Sequence, residues 1–335
     1  MQVYHYNDNF LLENGGSLPA ITIAYTTLGK LNEDASNVVW ICHALTANAE
    51  VEKWWPGIVG EGCILDPSKY FIVCANILGS CYGSSGPLSV NPVQGKPYFS
   101  DFPMITIRDM VKAHILLREY LQIKKIELLA GGSMGGYQAL EWSVMEPERI
   151  NKLFLLATSA TESAWGIAIH TAQRLAIEAD PTWKDLTIHA GSKGLKAARA
   201  MGMLTYRSYN VMMKTQVDTD AEKLDNYKAT SYIQYQGDKL VNRFNAYSYW
   251  LLTKAMDSHH LARGRSNTLI DILKKITQPT LIIGISSDIL CPVIEQKHIA
   301  EAMPNATLVE IDSEYGHDGF LIEAEKISKI LENWL

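Results

Sequence analysis

The chain predicts an α/β fold, with a mostly parallel, doubly wound central sheet, helices on both faces and a helical lid insertion. Three observations lead to it. Short runs of strand character recur at 21–25, 38–42, 70–75, 126–130, 153–157, 280–284 and 307–311, several of them apolar almost throughout, as strands buried on both faces require. Helical spacing appears between some of them, in Ile107, Met110, Val111, His114, Leu117 and Leu121, and again at the C-terminus in Ile322, Ile327, Ile330, Leu331 and Trp334. Between 158 and 275 no run has strand character, while 166–179, 193–203 and 244–256 read as helices. Because strands resume at 280, the sequence predicts a core of 1–157 and 276–335 with 158–275 inserted as a lid over the C-terminal edge of the sheet, where ligands of such folds bind.

Composition narrows the function before any motif does. The chain has 335 residues, 47% hydrophobic and 20% charged, which suits a globular protein with a large core. A net charge of -6 and no dense basic run argue against a nucleic-acid partner. No stretch of about 18 apolar residues suggests a membrane span. The N-terminus Met1-Gln2-Val3-Tyr4-His5-Tyr6 lacks the basic flank and apolar core of a signal peptide. Five cysteines without metal-site spacing (Cys42, Cys63, Cys74, Cys81, Cys291) read as free thiols of a cytoplasmic protein. The pair His259-His260 has the wrong spacing for a metal site and reads as solvated, and no metal is expected. The stretch 88–103, rich in proline, reads as an irregular surface loop.

The most informative segment is Gly131-Gly132-Ser133-Met134-Gly135-Gly136, between the apolar strand ending at Ala130 and the helix start Gln138-Ala139-Leu140-Glu141-Trp142. A G-x-S-x-G between strand and helix is a nucleophile elbow of the α/β-hydrolase fold. Side chains two residues either side of the serine would collide, so glycine is needed at 131 and 135. The turn lifts the Ser133 hydroxyl above the sheet edge, which suits an acyl-serine intermediate.

A serine hydroxyl needs a base, and the base an orienting carboxylate, in this fold in the order Ser, then acid, then His. His317, in Glu314-Tyr315-Gly316-His317-Asp318-Gly319 after the last strand, is the base candidate. Asp288, directly after the strand 280–284, is the acid candidate; Asp312 and Asp318 are rivals closer to His317 in sequence and worse placed to reach its Nδ1. The oxyanion needs two preorganised donors. The candidates are the backbone N–H of Met134 and that of Leu45, in the His43-Ala44-Leu45-Thr46 loop after strand 38–42; His43 itself suits a loop-fixing role.

These residues, with Cys81-Tyr82-Gly83-Ser84-Ser85-Gly86-Pro87, Thr106-Ile107-Arg108-Asp109-Met110, Leu204-Thr205-Tyr206-Arg207, Gln236-Gly237-Asp238-Lys239-Leu240 and Gly316-His317-Asp318-Gly319-Phe320, resemble the homoserine O-acetyltransferase family over nearly the whole length. The resemblance implies a ping-pong reaction in which Ser133 takes acetyl from acetyl-CoA, a co-substrate, with no bound cofactor, and L-homoserine then accepts it. It implies an arginine and an aspartate for the amino acid, at positions matching Arg199 and Asp318, with Arg207 and Tyr206 as close rivals of Arg199. It also implies a homodimer through the lid. The CoA contacts stay unassigned; Asp257, Arg263 and Arg265 read as surface charge. The chain departs from the family pattern at Ala47-Asn48-Ala49-Glu50, Ser85 and Tyr137, expected near the acyl pocket. A succinyl donor, L-serine as acceptor, a carboxylesterase and a non-catalytic binding protein remain the alternatives.

Overall fold

The computed structural model describes all residues 1–335. Eight strands form one sheet: β1 (Gln2–Tyr6), β2 (Ile21–Leu28), β3 (Val38–Cys42), β4 (Phe71–Ala75), β5 (Ile126–Gly132), β6 (Ile150–Leu156), β7 (Thr280–Ile285) and β8 (Ala306–Ile311). Their order is β1-β2-β4-β3-β5-β6-β7-β8. Only β2 runs against the rest, pairing antiparallel with both β1 and β4. β3, buried at every residue, shows why both faces must be covered. Val38, Trp40 and Cys42 enter one apolar core and Val39 and Ile41 the other, the period of two expected of a pleated strand. The seven strands read from sequence all form. β1 was not anticipated, because Gln-Val-Tyr-His-Tyr is an exposed edge strand whose polar residues conceal the pattern.

Helices α1 (Ile107–Tyr120) and α2 (Met134–Met145) pack on the first face. Thr106 and Asp109 close a capping box at the start of α1, which fixes where the helix begins. Between β6 and β7 the chain adds no strand to the sheet. It forms α3 (Ala164–Glu178), α4 (Ser192–Tyr206), α5 (Tyr209–Thr215), α6 (Lys228–Val241) and α7 (Ala246–Asp257). α3, α4 and α7 match the helical stretches legible in sequence; α5 and α6 are not among those stretches. α8 (Val293–Ala302) follows β7, and α9 (Ala324–Trp334) closes the second face through Ile327 and Leu331, one helical turn apart. The proline-rich stretch holds only a two-residue ribbon, Val90–Asn91 with Lys96–Pro97, and a short 3-10 turn. No helix is long and apolar enough to cross a membrane.

One buried ionic network clamps the elbow helix. Glu141 of α2 is 1% exposed; its Oε2 is 2.5 Å from Arg265 Nη1 and its Oε1 3.4 Å from Arg108 Nη2. Arg108 and Arg263 both pair with Glu13, so the N-terminal segment, α1, α2 and the chain beyond α7 meet here. Arg263 and Arg265 are therefore structural ties rather than free surface charges. Removing Glu141 leaves Arg265 without a carboxylate and takes one of two from Arg108, which keeps Glu13. Glu141→Ala is expected to destabilise the protein by about 3–5 kcal/mol, read as a lower chemical-denaturation midpoint.

Candidate active site

Ser133 sits at φ 54°, ψ -127°, between β5 and α2. A serine there is strained by about 1–3 kcal/mol, which neighbouring contacts must over-determine. They do so by close approach: a Cβ on Gly131 would lie 2.2 Å from the Gly135 carbonyl oxygen, and one on Gly135 would lie 2.1 Å from that of Cys42. Glycine is thus required at both positions expected from sequence, although Gly135 makes room for the backbone of β3. Ser133 N–H donates to Leu156 O at 2.9 Å, and Thr158 Oγ1 donates to Ser133 O at 2.8 Å.

The structure brings the three proposed partners together across the strand ends. His317 Nδ1 is 2.7 Å from Asp288 Oδ2, and its Nε2 is 2.9 Å from Ser133 Oγ. A carboxylate only accepts, so Nδ1 carries the proton and Nε2 is left to accept from the serine hydroxyl. Asp288 is fixed in turn, since its Oδ1 accepts from the N–H groups of Leu290 (2.8 Å) and Cys291 (2.9 Å). Burial pulls the His317 pKa down, but the charge and hydrogen bond of Asp288 outweigh it, and the net shift is upward. The rivals stand elsewhere: Asp312 is exposed and accepts from Ser286 Oγ, and Asp318 faces Arg207.

The N–H groups of Leu45 and Met134 donate to no protein acceptor, as an oxyanion site requires. Gln138 braces their two segments, its Nε2 donating to His43 O at 3.1 Å and Met134 O at 3.2 Å. His43 accepts from Ile77 N–H through Nε2 at 3.1 Å, and burial lowers its pKa to about 4. It is a neutral loop-fixing residue, in keeping with the sequence reading.

A cavity of ≈ 410 Å³ opens onto Ser133 and His317. Arg199, Tyr206 and Asp318 all line it. The Arg199 guanidinium lies over the Tyr206 ring at 5.1 Å, has no carboxylate partner, and its Nε is buried without an acceptor. Arg207 Nε lies 3.1 Å from Asp318 Oδ2, an ion pair by distance, although that N–H also lacks a well-aligned acceptor. Burial raises the Asp318 pKa, with Arg207, His317 and Arg199 pulling the other way. The helical insertion is tied to the loops that carry Asp288, His317 and Leu45. Trp165 Nε1 of α3 donates to Ile289 O at 2.8 Å, Ser208 Oγ donates to Glu314 O, and Arg243 donates to Thr46 O.

Three expectations are corrected. His259 is buried rather than solvated, stacked on Tyr137 with centroids 4.2 Å apart, and burial drives its pKa to about 3. Asp257 is no surface charge: it holds His170 Nδ1 at 2.9 Å and Arg174 Nη2 at 2.6 Å. Ser85 and Tyr137 do not line the cavity: Ser85 Oγ accepts from Thr22 N–H, and Tyr137 Oη donates to Glu162. Sequence reasoning missed the cavity-lining Lys53, His170, Lys239 and Arg243. Lys239 falls in one of the family-like segments, but its spacing gives no hint that its helix turns toward the cavity.

A family profile described as the alpha/beta hydrolase fold matches residues 37–324. A homoserine O-acetyltransferase of Cyclobacterium marinum is 47% identical over 333 residues, covering 99% of this chain and 94% of the relative. Among solved structures, a homoserine O-acetyltransferase from Bacillus anthracis superposes with a TM-score of 0.91 at 23% identity, covering 99% of this chain and 96% of that one. Esterase E22 gives 0.89 at 21% identity, covering 99% and 98%. At such identities these structures speak for the fold alone.

Acylation of Ser133 needs a neutral imidazole, so protonation of His317 at low pH must abolish it. Labelling of Ser133 by a fluorophosphonate is expected to rise with pH through one midpoint above the ordinary value of 6.5, because Asp288 raises the His317 pKa. Asp288→Asn should lower that midpoint and slow labelling by about 10³–10⁴-fold, through the wrong tautomer. A midpoint that Asp288→Asn leaves in place would contradict this assignment.

Proposed function

The chain belongs to the homoserine O-acetyltransferase family of the α/β-hydrolase fold, and we propose that it transfers acetyl from acetyl-CoA to the hydroxyl of L-homoserine, giving O-acetyl-L-homoserine for methionine biosynthesis. The observation that carries this reading is the hydrogen-bonded Ser133–His317–Asp288 chain at the floor of a cavity whose wall carries the unpaired Arg199.

In the first half-reaction Ser133 Oγ gives its proton to His317 Nε2 and attacks the thioester carbonyl. The N–H groups of Leu45 and Met134 receive the oxyanion. Collapse breaks the C–S bond, and the thiolate leaves with the proton from the imidazolium. In the second, the homoserine hydroxyl gives its proton to the same nitrogen as its oxygen attacks the acyl-serine, and collapse returns a proton to Ser133 Oγ. Arg199 grips the amino-acid carboxylate, as a guanidinium does bidentately, and Asp318 holds the ammonium. The ammonium joins Arg207 in favouring the ionised form of Asp318 against burial.

No bound cofactor takes part; acetyl-CoA is the co-substrate. The lid's contacts with all three catalytic loops keep water from the acyl-serine and favour transfer over hydrolysis. The lid also exposes Leu204, Tyr209, Met213, Leu224 and Tyr235, which supports pairing with a second copy through that surface. Five free thiols suit the cytoplasm.

With L-homoserine, acetyl-CoA is expected to release CoA rapidly and to give the O-acetyl product, with little release when the acceptor is omitted and none by Ser133→Ala. Succinyl-CoA or L-serine preference would keep the chemistry and change the substrate; fast release without acceptor would mean an esterase. Arg199→Ala should raise the homoserine KM about 10–100-fold, the loss of one charge-assisted contact. Light scattering should give the mass of a dimer.

A further inference from the structure

The cavity is cationic in a protein whose net charge is -6. Lys53, Arg199, Lys239 and Arg243 line it against one carboxylate, Asp318, which faces Arg207. Arg199 borders Tyr206 deep in the lid wall. The other three are exposed, one from the core and two from the lid. Lys239 has no carboxylate partner; Lys53 has only Glu50, at 2.6 Å in an exposed pair worth little. Arg243 is spent on neutral oxygens: Thr46 O, Thr46 Oγ1 and Tyr82 Oη. Unneutralised cations gathered at an opening focus an anion toward it.

We propose that Lys53, Lys239 and Arg243 form the docking site for the phosphates of the acyl donor. This rests on the acetyl-CoA reading above. The donor must place its thioester at Ser133 through this same cavity, and its only charged groups, a diphosphate and a 3′-phosphate, lie at the far end of a long neutral arm. The rim cations hold that end while the arm reaches inward. Homoserine carries no phosphate and ignores the rim, so the two substrates share the serine but not their charge anchors.

The test compares acetyl-CoA with S-acetylpantetheine, which has the same thioester without phosphates, on the wild type and on Lys53→Ala/Lys239→Ala. Arg243 stays in place because it also ties down the Thr46 loop. The wild-type preference for acetyl-CoA, as a ratio of kcat/KM, should fall about tenfold in the double variant through a higher KM, and Lys53→Arg/Lys239→Arg should restore it. Raised ionic strength should increase the wild-type KM for acetyl-CoA more than that for S-acetylpantetheine. An unchanged preference in the double variant, or equal salt dependence of the two donors, overturns the phosphate site and leaves the transferase reading standing. If the wild type releases thiol from neither donor, the acyl-transfer reading falls and this one with it.

Discussion

The backbone pinch at Ser133 is the constraint on which the other parts depend. A residue at φ 54° holds its place only because β3, β5 and α2 crowd around it. The Gly135 backbone lies against the Cys42 carbonyl, so the strand that launches the Leu45 loop and the helix that supplies Met134 N–H are in contact by necessity. Gly136 meets Thr158 and Gly132 meets the Phe320 ring, which brings in the end of β6 and the segment beyond His317. The segments that carry the Leu45 and Met134 N–H groups and His317 are positioned by the same close packing that makes the turn possible.

Four of the buried histidines show how one fold sets the same side chain in opposite electrostatic states. His43, His114 and His259 are all buried, and each is driven well below its ordinary pKa by loss of solvent. His317 is as buried but faces Asp288, and its shift reverses sign. A carboxylate at 2.7 Å on one nitrogen and the Ser133 hydroxyl at 2.9 Å on the other set His317 apart; His170 also faces a carboxylate, Asp257, but no serine.

The sequence announces what is local and periodic. The elbow glycines, the alternating and all-apolar strands, and the order serine, acid, histidine can be read from neighbouring residues, and each corresponds to a feature of the structure. What stays hidden depends on distant partners. β1 is polar because it lies at an edge. His259 looks solvated until α7 brings it against Tyr137. Arg199 and Arg207 are indistinguishable as letters; only the packing of α4 gives a carboxylate to one and leaves the other facing the cavity. Lys53 and Lys239, 186 positions apart, become neighbours of one cavity through the lid's return over the sheet.

The lid's fastenings bear on how such proteins can diversify. Trp165, Ser208 and Arg243 each reach a different catalytic loop, so the insertion is no interchangeable module. The acceptors are backbone carbonyls that any sequence supplies, so a lid taken from a relative keeps these fastenings only if it presents donor side chains at the same three places. Insertion and loops hold together as one unit of the fold, although more than a hundred residues of chain separate the elbow from His317.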